Sequence, residues 1–231
     1  MAEFLVAIAF FVIAHVVPPV PPVRTRLIAW FGRRQYIFGY SLLSTALLAW
    51  IIIAALRAPY LPLWSFAPWQ AAVPIIIMPL AAWLLLIGLI EPNPMSISVY
   101  ATDRDIQPGL SVAVTRHPVL LAFLLWAVSH ISPNGNVVVL ILFGIMALLA
   151  LAGLAGLDRR ARRRLGEERW QQLAEATSIV PFVAMFRGRS HIRMSWQLLV
   201  SLAAALGIYV WFLVQGHTWL IGPDPLATFV P

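Results

Sequence analysis

Thr115-Arg116-His117-Pro118 opens a mostly apolar stretch that runs through Trp126 to His130. An arginine and two histidines therefore stand in or beside a segment that otherwise reads as membrane-embedded. Ionisable groups are costly in hydrocarbon, so an intramembrane histidine points to a functional site. A third histidine, His15, sits near the end of the first apolar run, just before Pro18-Pro19-Val20-Pro21-Pro22. The only acidic residue inside the apolar runs is Glu3, at the start of the first and twelve residues before His15, so no carboxylate stands beside these imidazoles in the runs. Neutral imidazole is a good ligand for haem iron and needs no compensating charge. Zinc would call for three or four protein ligands, whereas a bis-histidine haem needs two.

Spacing limits the pairings. Thirteen residues separate His117 from His130, which on one helix is about 20 Å of rise and roughly 140° of rotation. The two cannot share one iron, so a haem would take His15 and one of them. His15 and His117 fall at the same end of their helices, and depth alone favours that pair. Arg116 can anchor its helix by snorkelling or bind a carboxylate or propionate bidentately. Pro118 suits a helix N-terminus, whose free N–H groups favour an anion. Together these features point to an anionic cofactor group at the mouth of the fourth helix. His191, among loop arginines, and His217, after the last helix, are given no role. Asp158 has Arg162 at helical spacing and is expected to pair with it.

The elements that must carry these residues are membrane helices. Of 231 residues, 61% are hydrophobic and 11% charged, against about 25% charged in soluble domains. Six apolar runs stand out, at 2–17, 37–56, 70–90, 117–132, 137–157 and 196–215, where a spanning helix needs about 20 residues. Runs one and four are short. Pro74 and Pro79 should kink run three. Pro133-Asn134-Gly135-Asn136 reads as a tight turn joining runs four and five as a hairpin. Residues 158–176 are expected to extend the fifth helix or to lie on the membrane surface. The fold expected is all-α, a polytopic membrane helical bundle of about six transmembrane helices in a single domain over 1–231.

The net charge of +7 comes from arginine, because there is no lysine. Arg24, Arg26, Arg33 and Arg34 lie in the first loop. Arg104 and Arg116 lie in the third. Nine more, from Arg159 to Arg193, lie in the fifth. Arg57 alone falls on the other side. The positive-inside rule makes the odd loops cytoplasmic and puts both termini on the non-cytoplasmic face. The arginines flank apolar runs, so topology explains them and nucleic acid is not expected as a partner. The lipid bilayer is, with an apolar, lipid-soluble substrate if the protein is an enzyme. The absence of cysteine excludes thiolate nucleophiles, iron–sulfur clusters and cysteine zinc sites. No Ser-His-Asp set, phosphate-binding glycine loop or His-Glu-x-x-His helix is present, and without intramembrane carboxylates a proton-coupled transporter is not expected.

Several segments carry a family resemblance. Gly109-Leu110 through Thr115-Arg116-His117-Pro118, Leu125-Trp126-Ala127-Val128-Ser129-His130, Asn134-Gly135, Leu142-Phe143-Gly144 and Asp158-Arg159-Arg160 resemble the NnrU family, as does His15 followed by prolines. The resemblance covers most of 1–190, leaving 196–215 as an additional C-terminal helix. It implies a protein of the bacterial inner membrane associated with denitrification and nitric oxide metabolism. That family is similar to the haem b-dependent zeta-carotene isomerases, which isomerise a cis double bond. Carried over by position, the resemblance implies His15 and His130 as axial histidines, with His117 as the Arg-His-Pro histidine, in contrast to the pairing that depth favours. The isomerases have a cysteine where this chain has Ala127, so thiolate ligation is excluded here and carotenoid isomerisation is put in question.

A more distant resemblance is to isoprenylcysteine carboxyl and phospholipid methyltransferases, through Arg116-His117-Pro118 and the stretch from Leu165 to Pro181. It implies S-adenosylmethionine held near Arg116 and His117. Leu120, Ala122, Ser129 and Asp158 depart from that pattern. Three functions stand as expectations: a haem b protein with polyene isomerase or redox activity, an adenosylmethionine-dependent methyltransferase, and a non-enzymatic membrane accessory factor.

Overall fold

The computed structural model describes residues 1–98, 109–192 and 194–229. Arg104 and Arg193, both used in the arginine count, lie outside the described residues. The described residues form helices and no strand. The chain divides into two compact units, Met1–Ser65 with Gly135–Leu142, and Phe66–Asn134 with Phe143–Pro231.

In the first unit, α1 (Ala2–Val16) packs against α3 (Arg33–Arg57). The buried positions of α1 are Phe4, Ala7, Ile8, Phe11 and Ala14, a stripe at helical period. On α3 the buried set is Leu47, Ile51 and Ala54, again one face. Between them, where the sequence pattern shows only a proline-broken loop, lies α2 (Pro21–Phe31), bent 83° from α1. Pro18 and Pro19 break the first helix, and Pro21 and Pro22 start the second, where a missing N–H is harmless. Tyr36 Oη donates to the Pro18 carbonyl at 3.3 Å, tying the break to α3. The segment after α3 pairs with the 135–137 turn: Leu63 N–H donates to Gly135 O at 2.7 Å, and Val137 N–H to Leu61 O at 2.9 Å.

The second unit is built on α4 (Pro68–Ile90), which packs against α6 (Pro118–Ile131) and α10 (Trp196–Trp211). Helix α4 continues through Pro74 and Pro79. Each proline removes the N–H that the carbonyl four residues earlier would accept. Both orphaned carbonyls find a hydroxyl. Tyr209 Oη donates to Ile75 O at 2.8 Å, and Ser132 Oγ to Gln70 O at 3.3 Å. Neighbouring side chains re-satisfy such groups in membrane helices, where no water can. Trp83 Nε1 donates to Ser201 Oγ at 3.0 Å, fixing α4 to α10 again. Gly88 lets α4 approach α6 closely, since a Cβ there would lie 2.8 Å from Pro118 Cγ.

Helix α7 (Val137–Leu165) starts in the first unit and runs on through the second. Asn136 Oδ1 accepts Val139 N–H at 3.0 Å, as an N-cap does. Gly166, at φ +86°, takes a left-handed conformation open to glycine, ends α7 and starts α8 (Glu167–Glu175). The stretch 158–176 thus does both things expected of it: it first extends the fifth apolar helix and then forms a separate one. Two single-turn helices, α5 (Ser111–Val114) and α9 (Val183–Phe186), flank the site described below. Beyond α10 come a π-helical turn (Phe212–Gly216) and α11 (His217–Leu220).

All six apolar runs are helices. Four helical stretches are long and apolar enough to cross a membrane: 33–57, 68–90, 137–165 and 196–220. The bent pair α1–α2 makes a fifth if taken as one span. Helix α6, with 14 residues, rises about 21 Å, short of the roughly 30 Å hydrocarbon core. Length and composition therefore support four or five spans, where the apolar runs alone suggest six.

Candidate functional site

The Arg-His-Pro segment sits at the junction of α5 and α6. Thr115 is extended, His117 caps α6, and Pro118 occupies its first turn, as its sequence predicts. The backbone is pinned on both sides. Arg116 N–H donates to Ser178 O at 2.7 Å, Phe182 N–H to Val114 O at 2.8 Å, and Thr115 Oγ1 to Ile179 O at 2.9 Å. Asn93 Nδ2 donates to the Arg116 carbonyl at 3.0 Å, while its own Oδ1 accepts Met95 N–H at 2.9 Å.

The Arg116 side chain is 9% exposed and turns into the protein. Nη1 donates to Asp158 Oδ2 at 2.6 Å, Nε to Thr177 Oγ1 at 3.0 Å, and Nη2 to Ala174 O at 3.0 Å. Its guanidinium also lies over the Trp170 ring, 5.7 Å from the centroid. His117 is fully buried, and its Nε2 lies 3.0 Å from Asp158 Oδ1. Ionised Asp158 only accepts, so Nε2 carries the proton. The other ring nitrogen, Nδ1, is buried without a partner among the described residues. One carboxylate on α7 thus answers both residues that open α6. A buried guanidinium needs such a counter-charge together with hydrogen bonds, because desolvation is otherwise prohibitive.

The expected Asp158–Arg162 pair does not form, and the structure corrects this expectation. Arg162 turns to Glu167, with Nη2 donating to Oε1 at 2.7 Å and Nε to Oε2. The pair is exposed, and the hydrogen bond from Arg162 holds the Glu167 carboxyl below the usual carboxylate range. Arg162 also stacks on Trp170, at 5.2 Å, so that ring contacts two guanidinium groups. Helical spacing makes Asp158–Arg162 the local choice, but a tertiary partner prevails. Nothing in the sequence singles out Thr177 or Asn93, and Trp170 stands out only as part of the stretch from Leu165 that resembles the methyltransferases. Their types are common in loops and on helix faces, and only the fold gives them a role.

His15 and His130 present a different chemistry from His117. His15 Nδ1 lies 2.7 Å from Phe11 O, and His130 Nδ1 lies 2.8 Å from Trp126 O. Each bond runs back four residues along its own helix. A carbonyl accepts only, so each Nδ1 carries a proton, and in the neutral ring Nε2 then keeps its lone pair. Aromatic rings enclose both imidazoles. Phe11 stacks on His15 at 4.1 Å, and Phe143 lies 5.2 Å from His130, with Trp126 at 6.1 Å. His15 belongs to the first unit and His117 and His130 to the second. His217 is half-buried and bonds Pro223 O through Nδ1, and His191 is exposed. No group of three or more His, Asp or Glu side chains is placed to hold a metal ion among the described residues.

Neither a curated protein nor a solved structure matches this chain. A family described as NnrU protein matches residues 3–225, beyond the 1–190 expected, so that the last apolar helix falls inside the match. With nearly its whole length matched, the chain belongs to the NnrU family.

Proposed function

We propose that this membrane protein binds haem b, with His15 and His130 as its axial histidines. The observation that carries the reading is the hydrogen-bond pattern the two share. Each Nδ1 is engaged by a carbonyl of its own helix, which directs Nε2 away from that bond and, in the neutral ring, leaves it open to a ligand. Metal-bound histidines characteristically donate their second ring N–H to such an acceptor, which fixes the tautomer and orients the ring. A neutral imidazole suits the apolar setting of both. His117, the rival that helix depth favours, also has one ring nitrogen held, Nε2 by Asp158, but its open Nδ1 is fully buried.

Bound haem would supply a redox-active iron, for cis–trans isomerisation of an apolar polyene or for a redox or gas-sensing role in nitrogen-oxide metabolism. The chain's own residues supply neutral imidazole ligands on apolar helices and an aromatic lining at each. The bacterial inner membrane is the location that fits such a protein.

The test is the absorption spectrum of protein purified in mild detergent, oxidised and dithionite-reduced, with a pyridine haemochrome assay. A six-coordinate haem near one per chain, lost in His15→Ala and in His130→Ala but kept in His117→Ala, is the expected result. Absence of haem even after reconstitution with hemin would end this reading.

An S-adenosylmethionine-dependent methyltransferase is the second reading. It is favoured by the convergence of residues 115–118 with 158 and 170–181. Against it, three of Arg116's five N–H donors already go to protein acceptors. Calorimetric titration with adenosylmethionine separates the two readings.

A further inference from the structure

We propose that the junction of α2 and α3 is a binding site for the headgroup of an anionic phospholipid, built from Arg34, Gln35 and Phe38 at the start of α3, with the exposed Arg26, Trp30 and Phe31 of α2 leading into it. Helix α3 is one of the helices able to span, and it begins at Arg33. Its first turn therefore lies where hydrocarbon gives way to headgroups. Helix α2 leaves α1 at 83°. It has no fully buried residue, and Val23, Arg24, Leu27 and Ile28 form its half-buried face. The rest is exposed and ends in large rings: Trp30 is 73% exposed, Phe31 60%, and Phe38 on α3 70%. Trp at a membrane helix end sits characteristically at headgroup level.

The charge around these rings is of one sign. Within Met1–Ser65 and Gly135–Leu142 the only carboxylate side chain is Glu3, at the far end of α1, where it accepts from Trp50 Nε1. Arg24 lies over the Tyr36 ring at 5.8 Å. Arg26 and Arg34 are exposed, and their side chains make no hydrogen bond or ion pair among the described residues. Arg34, Gln35 and Phe38 line a shallow surface cavity of about 330 Å³. Its walls match a phospholipid: a guanidinium and an amide N–H for phosphate oxygens, and a phenyl ring for the start of an acyl chain. A bidentate guanidinium–phosphate contact suits arginine in particular. A neutral headgroup carries its own cation and would leave the arginines uncompensated.

The test uses the full chain in nanodiscs, with tryptophan quenching by brominated phosphatidylglycerol or brominated phosphatidylcholine. The Trp30 share is the difference between the protein and its Trp30→Phe variant, which separates this site from the arginines of α7 and α8. The expected result is several-fold stronger quenching by the anionic lipid. Arg26→Gln and Arg34→Gln should each lower that preference about five-fold. Added salt should weaken it in the unmodified protein, a measurement that needs no variant to fold. Equal quenching by the two lipids, quenching by neither, a preference indifferent to salt, or one undiminished in the double variant would each overturn the proposal.

Discussion

Asp158 uses one oxygen for Arg116, at 2.6 Å, and the other for His117, at 3.0 Å. Two consecutive residues at the start of α6 are thereby held to one residue of α7, 42 and 41 positions later in the chain. Removing the carboxylate leaves a buried guanidinium without its counter-charge. Asp158→Ala should cost about 3–5 kcal/mol, the usual penalty for breaking a buried pair from one side. Thermal unfolding in detergent, followed by size-exclusion fluorescence, measures it. The Arg116→Ala/Asp158→Ala double variant should lose less than the sum of the single variants. Strict additivity would show that the two side chains do not act as a pair. Glu167→Ala, at the exposed Arg162 pair, serves as the control and should change little.

Tyr209 and Pro79 make a second test. The Tyr209 hydroxyl donates to the carbonyl that Pro79 leaves without an N–H. Tyr209→Phe should destabilise by about 0.6–2 kcal/mol, the range for interhelical hydrogen bonds in membranes. Pro79→Ala restores the N–H, so the cost of Tyr209→Phe in that background should shrink toward zero. An undiminished cost would mean that the hydroxyl acts through packing rather than through the Ile75 carbonyl.

These two cases show what the sequence carries and what it lacks. The apolar runs, the Pro118 helix start, the 133–136 turn and the length of α7 follow from local rules of period, capping and proline geometry. The partners of Asp158, Tyr209 and Ser132 do not, because each is chosen across dozens of residues by helix packing. Asp158 illustrates the limit well. The nearest arginine at helical spacing is Arg162, yet the buried Arg116 has the greater need of a counter-charge. Helix α2 is hard to read for another reason. Its prolines look like a break, and eleven residues with two arginines give too weak an apolar period to stand out.

Gly88 offers a packing test. An alanine Cβ at that position would sit 2.8 Å from Pro118 Cγ and 3.0 Å from Val119 Cγ2. The proline ring is rigid and cannot swing aside, so α4 and α6 must separate. Gly88→Ala should destabilise by about 1–3 kcal/mol as overpacking. At Gly144, in α7, an added methyl group would meet nothing within 4 Å. There the substitution should be neutral or stabilise by about 0.4–1 kcal/mol, through lower entropy of the unfolded chain. Equal effects at both sites would refute a close α4–α6 approach.

The arginine bias makes a prediction about orientation, and the chain suits the experiment because it has no cysteine to remove. Single cysteines at exposed positions report directly on topology. With both termini outside, Tyr60→Cys and Thr218→Cys should react with a membrane-impermeant maleimide in intact spheroplasts. Thr25→Cys and Gln172→Cys should react only after permeabilisation. The reverse pattern would place the arginine-rich loops outside, against the positive-inside rule. Reaction of Thr25→Cys and Gln172→Cys from opposite sides would mean an odd number of crossings between them. Helix α6, about 21 Å long, would then be the first candidate for a segment that enters the bilayer without crossing it.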